Sequence, residues 1–138
     1  MNDNENVTYA TLACGLRMVH RHCAGLTEYC GVTIDAGSRD DGAQTPGLAH
    51  FVEHTIFKGT SHHAANYIIN RMETVGGELN AFTTKEETSV YAVMPAGNVA
   101  RAMALLADII TDSTFPAREI DREREVIADE IDSYLDSP

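Results

Sequence analysis

The sequence predicts an α+β domain of two layers, with helices packed on a largely antiparallel sheet. Three observations predict it: strand-like runs come in two groups, each group is followed by segments of helical periodicity, and turn residues separate them. The 138 residues amount to one domain's worth of chain, with 43% hydrophobic content and no low-complexity tract, enough to bury a core.

Residues 7–12 and 16–20 read as short strands joined at Cys14-Gly15, a hairpin signal. Residues 28–36 continue with alternation, placing Cys30, Val32, Ile34 and Ala36 on one face and Gly31, Thr33 and Asp35 on the other. These runs are expected to lay down the first strands of the sheet. The turn-rich loop 37–42 leads into a helix that Thr45 can cap and Pro46 can start. Leu48, Phe51, Val52 and Ile56 form its apolar stripe, Lys58 falls in its last turn, and Gly59 ends it. Adjacent His62 and His63 diverge on any regular element, so they are expected in an exposed loop rather than as ligands. A second helix over residues 64–75, with Tyr67, Ile68, Met72 and Val75 apolar, stops at Gly76-Gly77. Strands over 78–83 and 88–94 flank the polar turn 84–87. Residues 98–111 are a strongly apolar helix with Val99, Met103, Leu106 and Ile110 in its stripe. The last helix runs over 115–135, with Ile120, Ile127, Ile131 and Leu135 apolar and charges elsewhere.

The first of these helices carries His50-Phe51-Val52-Glu53-His54. At about 100° of rotation per residue, His50, Glu53 and His54 fall within roughly a 100° arc of one face. Two histidines at i and i+4 can share one Zn²⁺, and a glutamate one turn from the first can take a proton from water there. The order His-x-x-Glu-His is the inverted form of the commoner His-Glu-x-x-His motif and marks inverzincins. Such a pattern arises by chance in roughly one chain of this composition in fifty, so it needs a third ligand. Glu123 and Glu130, seven residues and about 10.5 Å apart along one face of the last helix, border its apolar stripe, and either can turn inward as ligand or supporting carboxylate.

Four separate motifs now stand in order. They are His50 to His54 with Phe57-Lys58-Gly59-Thr60; Gly76-Gly77-Glu78-Leu79-Asn80-Ala81-Phe82-Thr83 with Glu87-Thr88; the acidic run from Glu123 to Ile131; and Asp136-Ser137-Pro138. This succession resembles the pitrilysin/insulysin family of zinc peptidases across nearly the whole chain. The resemblance implies one zinc ion held by His50, His54 and Glu130, Glu53 as catalytic base and Glu123 as a supporting carboxylate. It also implies that strand 78–83 is an edge beside the metal, where a peptide substrate adds by backbone pairing and touches Asn80 and Ala81. Family chains are several times longer, so residues 1–138 correspond to the N-terminal part of a zinc-metallopeptidase domain. A C-terminal domain or homo-oligomerisation is then expected to supply the rest, and the isolated chain is expected to associate and to cleave weakly or not at all.

The formal net charge of −11 argues against nucleic acid and anionic membrane surfaces as partners and fits a solvated surface that favours basic peptides, while the family resemblance implies a peptide or small unfolded protein as substrate. Cys14, Cys23 and Cys30 are odd in number and lack Cys-x-x-Cys spacing, so buried free thiols in a reducing compartment are expected. No apolar run spans a membrane, and a polar, acidic start over residues 1–6 is unlike a signal peptide, so a cytoplasmic location is expected. Besides a zinc peptidase, two readings remain open: a non-catalytic zinc-binding or assembly subunit of a peptidase-like complex, and a metal-binding module unrelated to peptidases.

Overall fold

A computed structural model describes residues 6–135 of the chain; the first five residues of the polar start and the motif residues 136–138 lie outside them. The described residues form five strands and four helices. All strand pairs are antiparallel, as expected, but they make two sheets rather than one.

Among the described residues, strands β1 (Val7–Thr11) and β2 (Arg17–Arg21) pair only with each other, Tyr9 opposite Val19, around a turn at Gly15 with φ +90°. Nearly every residue of this ribbon is exposed, so it has no apolar face to bury in a larger sheet. The second sheet has the order β3-β5-β4, built from β3 (Thr27–Ile34), β4 (Glu78–Thr83) and β5 (Thr88–Pro95). Central β5 turns Val90, Ala92 and Met94 into the core, each at most 1% exposed, as period-two alternation requires. β4 is an edge of this sheet, and among the described residues no strand pairs with its other side.

Helices cover one face. α1 spans Leu48–Thr55, α2 Ala65–Glu73, α3 Val99–Asp112 and α4 Ala117–Leu135. α3 packs on β3 and β5, and α2 on β4 and α3. α1 bridges β4 and α4. Ile68 and Met72 of α2 and Leu106 and Ile109 of α3 fill the centre with Ile56, just past α1. The buried face of α3 is Ala102, Leu105, Leu106 and Ile109; Val99 and Met103 of the expected stripe are exposed. This helix is apolar almost all round, so two stripes compete, and the sheet takes the one spaced i, i+3, i+4, i+7. On α2, Tyr67 is also exposed, and on α4 so is Ile131. The turn after α2 brings backbone against backbone: a Cβ on Gly77 would sit 2.8 Å from the Val93 carbonyl oxygen, which is why only glycine fits.

The start of α1 differs from the expectation. Thr45 and Pro46 precede the helix, and Gly47 stands at its N-cap with φ +85°. The capping carboxylate comes from the loop instead, where Asp41 accepts hydrogen bonds from the Gly47 N–H (2.7 Å) and the Ala49 N–H (2.9 Å). The helix ends at Thr55 with Ile56 as its C-cap, so Lys58 lies beyond the last turn and Gly59 is not what ends it. Cys14 and Cys23 are exposed rather than buried, and Cys30 is half-buried with its thiol pKa pushed up by burial. Among the described residues no helix is long and apolar enough to cross a membrane.

Candidate metal centre

α1 carries His50, Glu53 and His54 within eight residues, and α4 packs against it with Glu123 and Glu130. His50 Nε2 and His54 Nε2 are 3.2 Å apart. Glu130 Oε2 is 3.4 Å from His54 Nε2 and 4.0 Å from His50 Nε2. Three donors bound tetrahedrally at about 2.1 Å from one ion would lie about 3.4 Å from each other. Two sides of the triangle have this length, and the third is somewhat longer. Two imidazole nitrogens and one carboxylate oxygen are one of the donor sets of catalytic zinc sites, so the residues fit that metal.

Glu123 sits behind the triangle, not in it. It is buried, 8% exposed, with Oε2 3.4 Å from His54 Nδ1 and Oε1 2.7 Å from the Lys58 ammonium. A carboxylate on Nδ1 leaves the Nε2 lone pair facing the other two donors. Glu53 is half-buried on the same turn as both histidines. Among the described residues its carboxylate has no hydrogen bond or ion pair. Asn80 is exposed and Ala81 half-buried on edge strand β4, against which α1 packs. The structure thus brings His50, His54 and Glu130 together, sets Glu123 behind His54, and puts the open strand edge next to the same helix.

A second group, His62, Asp108 and Asp112, also places donor atoms within 4.8 Å of one another. His62 is exposed in a loop, as expected, while His63 is half-buried and stacks on Tyr67 with ring centroids 4.0 Å apart. The donors of this second group are already engaged: His62 Nδ1 meets Asp108 Oδ1 at 2.6 Å, and Thr60 Oγ1 donates to Asp108 Oδ2 at 2.7 Å. The hydrogen bond to Asp108 and its charge raise the His62 pKa. Burial alone would raise the Asp108 pKa, but the bonds from Thr60 and His62 outweigh it and lower it. Because the folded His62 pKa lies above its unfolded value and the folded Asp108 pKa below its own, the pair stabilises between the two unfolded values; the contribution is lost as pH rises through the folded His62 pKa and as it falls through the folded Asp108 pKa. Asp108→Asn should therefore bring the His62 midpoint back down in an NMR titration; an unchanged midpoint would exclude the pair as the cause.

Sequence reasoning missed two contributors to this centre. Lys58 reads locally as a basic residue near a helix end, and Asp41 as one of several loop acids. Their partners lie 65 residues away and in the next helix start, so neither pairing leaves a periodic signal.

Solved structures of similar fold include the periplasmic protease PqqL from Escherichia coli, with a TM-score of 0.89 and 29% identity, covering 99% of this chain and 16% of that one. Pitrilysin shares the fold with a TM-score of 0.82 over 94% of this chain and 14% of its own, at 24% identity. The fold is therefore that of part of a peptidase domain. The chain belongs to the insulinase family, peptidase family M16, whose pattern matches residues 19–138. That membership agrees with the resemblance seen in the motifs. Relatives include a probable mitochondrial-processing peptidase subunit beta from Arabidopsis thaliana, 43% identical over 88% of this chain and 23% of the relative. An uncharacterized zinc protease from Mycobacterium leprae is 40% identical over 96% of this chain and 30% of the relative. The chain thus spans less than a third of the length of these relatives.

Proposed function

We propose that this chain carries the zinc centre of a peptidase, with His50, His54 and Glu130 as ligands, one ion per chain, and Glu53 as general base. The observation that carries this reading is the donor triangle, 3.2 to 4.0 Å on a side, beside a glutamate with no partner among the described residues. Zinc bound there would supply Lewis acidity, acidifying a water and polarising a peptide carbonyl. Glu53 would accept the proton from that water and return it to the leaving amine. Glu123 would hold the His54 proton on Nδ1 and so keep Nε2 available. A substrate peptide would pair with the free edge of β4, bringing its scissile bond past Asn80 and Ala81. Backbone pairing fixes the peptide's direction and register, and much of the rate depends on such positioning.

Support for a larger working unit comes from the share of its relatives that the chain spans and from strongly exposed apolar side chains, Leu26 at 89% and Tyr29 at 75%. A C-terminal domain or a second copy would cover them. The exposed thiols of Cys14 and Cys23 fit a reducing compartment such as the cytoplasm.

The test is hydrolysis of a fluorogenic peptide by a full-length form, with and without chelator, and after zinc is restored. Cleavage lost on chelation and regained with zinc is the expected result. Zinc binding without cleavage would point instead to an assembly subunit, and no zinc binding would end the metal reading. The 138-residue chain alone is expected to bind zinc, to associate by light scattering and to cleave little; a monomer with full turnover would contradict this.

A further inference from the structure

Lys58 stands on a stretch of backbone anchored by several hydrogen bonds. Its N–H donates to the Thr55 carbonyl at 3.0 Å, and the Ser113 hydroxyl donates to the Ile56 carbonyl at 3.1 Å. The Gly59 carbonyl accepts from the Thr114 N–H at 3.1 Å, and Thr60 bridges to Ser113. The segment after α1 is thus fastened to the end of α3, and from this post Lys58 reaches across to α4. Its ammonium lies 2.7 Å from Glu123 Oε1, while the other oxygen of that carboxylate lies 3.4 Å from His54 Nδ1. Lys58 is 28% and Glu123 11% exposed at the side chain, so this is a poorly hydrated contact between two charges.

A carboxylate side chain has several rotamers, and only one that turns an oxygen to Nδ1 is useful to His54. Without a cation on its other oxygen, the buried Glu123 carboxylate would be driven to seek water elsewhere. We propose that Lys58 is a positioning residue for the metal centre: by gripping Glu123 Oε1 it holds Oε2 on His54 Nδ1, which fixes the tautomer and ring orientation of that ligand. The inference rests on the reading of His50, His54 and Glu130 as zinc ligands. Lys58 touches neither metal nor substrate, and it acts only through Glu123.

The experiment measures zinc affinity of the purified chain by competition with a fluorescent chelator. It compares wild type with Lys58→Met, Lys58→Arg, Glu123→Gln, the Lys58→Met/Glu123→Gln double variant and His54→Ala. Lys58→Met should weaken zinc binding by about 10- to 100-fold, the range for removing support behind a ligand. Lys58→Arg keeps the charge and should stay within about threefold of wild type. The double variant should be no weaker than Glu123→Gln alone, within about twofold, because both changes break one relay. Imidazole nitrogen shifts supply a readout that a merely structural strut would not move: in Lys58→Met the share of His54 protonated on Nδ1 should fall. If Lys58→Met fails to fold, Lys58→Gln against Lys58→Arg carries the comparison, with weakening required only in the former. Wild-type affinity in Lys58→Met, or losses that multiply in the double variant, overturns the role of Lys58 while the site stands. Normal zinc binding by His54→Ala overturns the metal site itself, and the Lys58 inference with it.

Discussion

Replacing Glu53 with Gln is expected to lower peptide hydrolysis by a factor of about 10² to 10⁴ while zinc stays bound. Glutamine keeps the size and shape of the side chain but has no basic carboxylate, so the proton that must leave the attacking water has no acceptor. The metal triangle is untouched, because Glu53 is not among the three clustered donors. Glu53 also makes no ion pair or hydrogen bond through its side chain among the described residues, so its replacement breaks none there. The measurement is kcat/KM of a full-length form together with its zinc content. Loss of zinc from this variant, or unchanged turnover, would mean that Glu53 has been given the wrong role.

The second large effect falls on the ligands. His54→Ala and Glu130→Gln should each weaken zinc binding by about 10² to 10³-fold, a rough share of the binding energy of a site with three protein donors. His62→Ala should leave affinity within about twofold, because His62 belongs to the separate group around Asp108. Metal content by elemental analysis and affinity by chelator competition would read the difference. Equal losses at all three positions would remove the distinction between the two clusters. Strong zinc binding by Glu130→Gln, with loss in Glu123→Gln, would exchange the roles of the two carboxylates.

Features set by near neighbours were readable from residues alone. Period-two alternation and the bounding glycines located β4 at Glu78–Thr83, and the i, i+3, i+4 spacing put His50, Glu53 and His54 on one turn. Features set by distant partners were not. The first residue of α1 depends on Asp41 reaching Gly47 and Ala49, which local cap rules assigned to Thr45. The buried face of α3 depends on which of two apolar stripes meets β3 and β5, and both satisfy helical periodicity. Separation of the β1-β2 ribbon from the main sheet is a question of long-range pairing that alternation does not address. Helical spacing likewise left Glu123 and Glu130 equivalent. Their different surroundings arise from how α4 lies on α1, with Lys58 and His54 at one level and both Nε2 atoms at the other.

α4 is the longest helix, yet its main packing partner is the short α1. It carries many charges and buries little, so its share of the hydrophobic core is small. With zinc bound as proposed, an ion would join Glu130 on α4 to His50 and His54 on α1, a cross-link between segments about 80 residues apart in the chain. Opening of α4 would then require a ligand bond to break, whereas the metal-free chain could release this helix as a separate unit of local unfolding while the β3-β5-β4 core stays closed. Occupancy of the centre would consequently be written in the amide exchange rates of a helix that contributes only one of its ligands.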